Sequence, residues 1–233
     1  MASATGIDRP RLFGRADIEI RTTLGVAALA WLWLALVPAP SLHWPAMVLA
    51  MMLPTLVPQI AHVRARSFAD RRSRAALLFV LPYLLAWLVA GALAAFLLAP
   101  VLHQTVFAPL ACLCAAVWQF SPQKRSALRK CHSRPVLAAF GPSADRDVLI
   151  FGLTYARDCI TSCLPMMLVM LGTHDFAVMI FLTVIILSER AVLRPDPRAS
   201  AFTLLLTALA LTALAHAPHH LLLLYKDICH AGI

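Results

Sequence analysis

Long apolar runs separated by short polar clusters account for most of the chain. They fall at about 22–38, 43–62, 75–98, 106–121, 148–171, 175–191 and 200–225, each near the ~20 residues that a helix needs to cross a bilayer. The last run is long and interrupted at Pro218. Pro54, Pro58, Pro82 and Pro165 sit inside other runs. Each removes a backbone donor and predicts a kink, which a membrane helix tolerates when neighbours satisfy the freed carbonyl. The pattern predicts an all-α fold, a polytopic transmembrane bundle of about seven spans with Pro-kinked helices. It divides the chain into an N-terminal segment 1–21, a transmembrane domain 22–225 and a tail 226–233. No internal repeat is visible.

The cations between the runs orient this bundle. With the N-terminus in the cytoplasm, 18 of the 20 Lys and Arg fall in cytoplasmic segments. The expected external loops near 39–42, 99–105 and 172–174 carry none. This is the positive-inside bias; it predicts an odd number of spans and an external C-terminus. It also accounts for the formal net charge of +9 without a nucleic-acid partner, because anionic headgroups attract such loops.

Composition agrees. Hydrophobic residues make up 61% and charged residues 13% of the chain, where a soluble domain is roughly half apolar and a quarter charged. This excludes an ordinary soluble enzyme and a disordered tail. The first 21 residues mix Arg9, Arg11, Arg15 and Arg21 with Asp8, Asp17 and Glu19; a cleaved secretory signal carries few acids. A first helix retained in a bacterial inner membrane is expected. The six cysteines are scattered and do not form a disulfide framework. No phosphate-binding Gly-x4-Gly-Lys loop, His-Glu-x-x-His or Gly-x-Ser-x-Gly motif occurs, so neither ATP coupling within this chain nor an intramembrane enzyme is expected.

Against this background the polar residues inside the runs stand out. Arg157 and Asp158 lie in the fifth run, where a charge at the bilayer centre costs about 2.5–3.5 kcal/mol on insertion scales. Runs five and six form a tight hairpin with its midpoint near 173–174. Reflection through that midpoint sets Asp158 level with Glu189, and Arg157 level with Arg190. Two readings follow: a structural ion pair of Arg157 with Glu189, or a proton or cation site at Asp158 or Glu189.

The fifth run also carries Cys159, Cys163, Met167 and Met170 at spacings that share one helix face. In the second run His43, Met47 and Met51 form another such stripe. Thiolates and thioethers are soft ligands that favour Cu(I), although Met and Cys also fill gaps in apolar packing. A Cys-x3-Cys pair needs a third group or a second helix to enclose a metal. Cys131 and His132 are a candidate cytosolic pair, with a solvated basic loop as the plainer reading. His174 heads a set of histidines on the expected external side, read either as collectors of metal or as an interfacial collar.

Taken together, these segments resemble a known family. Trp44-x2-Met47-x2-Ala50-Met51-Met52-x-Pro54, then Gln119-x2-Pro122-x-Lys124 with Cys131 and Pro135, then Gly152 to Met167, Gly172 and Glu189-Arg190, are similar to motifs of the DUF2182 family, the predicted metal-binding integral membrane proteins. The resemblance runs from about 44 to 195. Two cysteines of the family pattern are replaced, by Ala127 and Ser162, and its tryptophan by Leu164; Cys131, Cys159 and Cys163 remain. The resemblance implies a metal-binding membrane protein, with either a remodelled site or a scaffold that has shed its metal.

The expected function is handling of a soft metal, copper foremost, by transport or by delivery to a membrane metalloenzyme. The expected ligands are Cys159, Cys163, Met167, Met170, Met47, Met51, His174, Cys131 and His132. The alternative is a non-catalytic accessory or assembly subunit of a larger membrane complex. The lipid bilayer is the expected environment in both.

Overall fold

The computed structural model describes residues 13–37, 43–102, 104–173, 175–192 and 195–215. Among these the chain is helical, without strands. Its helices are α1 (Phe13–Leu36), α2 (His43–Met52), α3 (Val57–Ala65), α4 (Arg72–Leu98), α5 (Phe107–Trp118), α6 (Pro122–Cys131), α7 (Gly141–Gly172), α8 (Phe176–Ala191) and α9 (Pro197–Ala215). A 3-10 turn, Leu53–Leu56, joins α2 to α3. Pro54 lies in this turn and Pro58 in the first turn of α3, and each withholds a donor that a continuous α-helix would use. Pro82 and Pro165 lie inside α4 and α7.

Among the described residues, three helical segments are long and apolar enough to cross a membrane: Ile18–Leu36, His43–Ala65 (α2, the 3-10 turn and α3 together) and Arg72–Leu98. The expected fourth and sixth spans are met by shorter helices. α5 has 12 residues and α8 has 16, against the ~20 that a bilayer core requires. α7 has the length, 32 residues, but carries Arg157 and Asp158 near its middle. The seventh expected span is met by α9 as far as Ala215, and Pro218 lies outside the described residues. The surface is strongly apolar, with Leu29, Leu85, Phe96, Leu97 and Val117 all exposed. Faces of this kind suit a hydrocarbon solvent.

The helices form two compact units. Unit 1 comprises residues 1–90 and 133–157, and unit 2 comprises 91–132 and 158–233. In unit 1, Phe79 and Tyr83 of α4 stack with Phe151 and Tyr155 of α7 at centroid separations of 5.0–5.8 Å. The Tyr155 hydroxyl donates to the Thr55 carbonyl, which the 3-10 turn leaves available. Trp31 Nε1 donates to the Ala50 carbonyl at 3.1 Å, and Trp44 Nε1 to that of Trp87 at 3.1 Å. A Cβ on Gly152 would lie 2.6 Å from the Phe79 carbonyl oxygen, so only glycine permits this approach of α7 to α4. At the polar end, Arg64 pairs with Glu19, and Arg71 and Arg74 with Asp145.

In unit 2, α5 packs along α9. Trp118 Nε1 donates to the Thr161 carbonyl at 3.0 Å and so ties the end of α5 to α7. α6 starts where Ser121 caps it, its hydroxyl accepting from the Lys124 amide at 3.0 Å, with Pro122 in the first turn. Ser caps and first-turn Pro are favoured at that end of a helix. Asp175 caps α8 in the same way, accepting from the Val178 amide at 2.9 Å.

Candidate metal centre

α6 turns what reads in sequence as a solvated basic loop into an amphipathic helix. Lys124, Ala127, Leu128 and Cys131 recur at the i, i+3, i+4, i+7 spacing of one helix face, and all four are buried. Arg125, Arg129 and Lys130 are on the exposed side. Cys131 is therefore an interior residue of unit 2.

It meets the α7 stripe through Arg190, at the end of α8. The Arg190 guanidinium hydrogen-bonds Cys131, Cys163 Sγ at 3.6 Å and Ser162 Oγ at 3.3 Å. The Ser162 hydroxyl lies 3.4 Å from Cys163 Sγ, and a hydrogen bond joins Cys163 to Cys159. Cys131 also feels the charges of Cys163 and Asp158. Cys159, Cys163, Met166, Met167 and Met170 are all buried. The Arg190 guanidinium thus bonds thiols of two helices, Cys131 of α6 and Cys163 of α7. Burial pushes the Cys131 thiol up to about 11, against the pull of the Arg190 guanidinium. Desolvation disfavours the thiolate, and a nearby cation favours it.

Glu189, next to Arg190, pairs with Lys124 at 2.7 Å, both side chains being almost wholly buried. The hairpin reflection offered Arg157 as its partner, but Lys124 was out of reach of that construction because it lies on another helix. Arg157 is exposed in unit 1, and Asp158 is buried in unit 2. The buried cation Lys124 and the thiol-holding cation Arg190 were the two residues that sequence reasoning missed. The spacing of the buried face of α6 was the available signal for Lys124.

The other expected ligands are distributed as follows. Met47 and Met51 are buried in unit 1. Both ring nitrogens of His132 face carbonyl oxygens, Nδ1 that of Leu128 at 2.9 Å and Nε2 that of Arg190 at 3.0 Å. A neutral imidazole can donate to one of these two carbonyls and not to both. His174 lies outside the described residues. Among the described residues, no three or more His, Cys, Asp or Glu side chains converge as a ready-made metal site.

A cavity of about 480 Å³ is lined by Lys124 and Glu189 together with Gln119, Arg125, Arg129 and Pro197. Gln119 donates to Met166 Sδ at 3.6 Å, and Lys124 acts electrostatically on Cys163. Gln119, one of the residues lining the cavity, thus touches a sulfur atom of α7 directly.

The described residues are all-helical and bury thiols and thioethers, the side-chain types that soft metals prefer. The family model for PpoB2, a copper chaperone, matches residues 41–213, and the chain belongs to this family. The resemblance drawn from the motifs thus stands at the level of a copper-related membrane family, under a name other than DUF2182. No curated protein matches the chain, and no solved structure does.

Proposed function

We propose that this protein is a membrane-embedded copper carrier that holds Cu(I) on Cys163, Cys159 and Cys131 and passes it to a membrane metalloenzyme. Membership of the copper chaperone family supports the metal, and the apolar helices support the setting. The observation that carries the reading is the Arg190 guanidinium bonded to thiols of both α6 and α7.

The chemistry follows from charge. Thiolate and thioether ligands select Cu(I), and the thiols must lose their protons to bind it. With two of the three thiols ionised and the third kept as a neutral thiol, the copper site carries one net negative charge, which is costly in a low-dielectric interior unless paired. Arg190 supplies that pairing and is already in place before the metal arrives. Met166, Met167 and Met170 continue the soft surface along α7, so copper has further weak ligands on its way, and weak multiple sites are what movement requires. In this reading the protein is a carrier without catalysis of its own, and its location is the bacterial inner membrane.

The test is metal content after anaerobic purification in detergent from copper-supplemented cells. The wild type should hold about one copper per chain, bound as Cu(I) by soft ligands. The Cys159→Ser/Cys163→Ser variant should lose it while its helical content is unchanged. Copper at background in the wild type overturns the carrier reading and leaves the accessory-subunit reading in its place.

A further inference from the structure

Free Cu(I) is not a species that a protein meets, because its affinity for soft sulfur ligands keeps it complexed. The cargo arrives or leaves on another molecule, and the cavity beside the sulfur cluster has the properties needed to take one. Its volume of about 480 Å³ lies within the ~300–1,000 Å³ typical of small-molecule sites. Glu189 lines it but is neutralised by Lys124 at 2.7 Å. That leaves Arg125 and Arg129, both exposed and one turn apart on α6. Among the described residues neither forms an ion pair. Gln119 links cavity and sulfur, lining the one and donating to Met166 Sδ at 3.6 Å.

We infer that this cavity is a docking site for an anionic low-molecular-weight thiol that carries Cu(I), bound through its carboxylates by Arg125 and Arg129 and positioned to exchange copper with Cys163 and Cys131. The inference rests on the copper reading above and adds to it the chemical class of the donor. Guanidinium groups suit carboxylates, which they hold in bidentate fashion.

The exchange balances without any further reagent. One Cu–S bond to the carrier breaks for each Cu–S bond formed to a protein cysteine. The proton that each protein thiol gives up goes to the departing carrier thiolate. Copper remains Cu(I), and the core of copper and two thiolates carries one negative charge before and after the exchange, while the carrier's carboxylates leave with the carrier. The Lys124–Glu189 pair between them is neutral overall, so it adds no net charge to the path.

The experiment compares two donors on the full-length protein in detergent, anaerobically: Cu(I) complexed by glutathione, which is anionic, and Cu(I) complexed by cysteamine, which is cationic. Rate of transfer and final copper occupancy are read separately. In Arg125→Gln/Arg129→Gln, transfer from the glutathione complex should slow about tenfold or more and lose most of its salt dependence, since charge steering contributes ~10–10³ to such rates. Transfer from the cysteamine complex should not slow, and final occupancy should be unchanged. Arg125→Lys/Arg129→Lys, which keeps the charge, should recover most of the glutathione rate. Equal glutathione rates in wild type and the Gln variant, or equal slowing with both donors, would overturn the inference while leaving copper binding intact. Failure of both donors to load the wild type would instead overturn the copper reading, and this inference with it.

Discussion

At the scale of single residues, two buried groups dominate. Lys124 and Glu189 form an ion pair with side chains 2% and 3% exposed. Removing one partner of a buried pair leaves the other charged and unpaired, at a cost of about 3–5 kcal/mol. Glu189→Gln should therefore lower stability in detergent, measured by denaturant or thermal unfolding, by that order. The double change Lys124→Met/Glu189→Leu should cost clearly less, because no orphan charge remains. Cys131 responds to pH. Its thiol is raised to about 11 by burial, so the folded protein holds this proton above the pH at which an unfolded cysteine loses it. The contribution of this thiol to stability is complete below the unfolded pKa, near 8.5, and is lost as pH rises toward about 11. Alkylation by a small reagent should show the same profile, slow at pH 8 and climbing toward pH 11. Arg190→Gln should shift the profile further upward, since the guanidinium is what favours the thiolate. The identities of Cys131, Cys159 and Cys163 as soft ligands were legible in the sequence; the cation that holds them was not, because Arg190 looks like one more inside-facing positive charge.

Among the elements, the close approach in unit 1 and the cap of α6 are the most exposed to single changes. A Cβ on Gly152 meets backbone, the Phe79 carbonyl, at 2.6 Å, and backbone yields less readily than a side chain. Gly152→Ala should destabilise by about 1–3 kcal/mol, as overpacking does, and the loss should appear in a thermal melt of the purified protein. Ser121→Ala removes the cap of α6 and should cost about 0.5–2 kcal/mol. Since α6 carries Cys131 into unit 2, the same variant should also raise the alkylation rate of Cys131 at a given pH. Helix positions followed from apolar runs because each run must satisfy its own backbone in a membrane. The shortness of α5 did not, since its run continues in composition past Trp118 into residues that bend toward the Ser121 cap.

For the whole molecule, the cation distribution is the testable quantity. The positive-inside bias predicts that Arg125 and Arg129, and with them the mouth of the cavity, face the cytoplasm. In a Cys114→Ser/Cys229→Ser background, which removes the exposed thiol among the described residues and that of the tail, Arg129→Cys should react with a membrane-impermeant maleimide in inside-out vesicles and not in right-side-out ones. The reverse pattern would invert the topology. The same orientation would have the donor thiol of the cavity approach from the cytoplasm.

The chain's own pattern determined its class: helices among all the described residues, some apolar and of membrane length, sulfur side chains in register on α7, and cations clustered in alternate connections. These follow from local rules, helical periodicity and the cost of burying charge, which act within one segment at a time. Tertiary structure decided which segments meet. It made a buried helix of the stretch after Ser121, gave Glu189 to Lys124, and brought Cys131 to Cys163 through Arg190. Such pairings depend on distances between helices far apart in sequence, and one segment's periodicity carries no record of its neighbour.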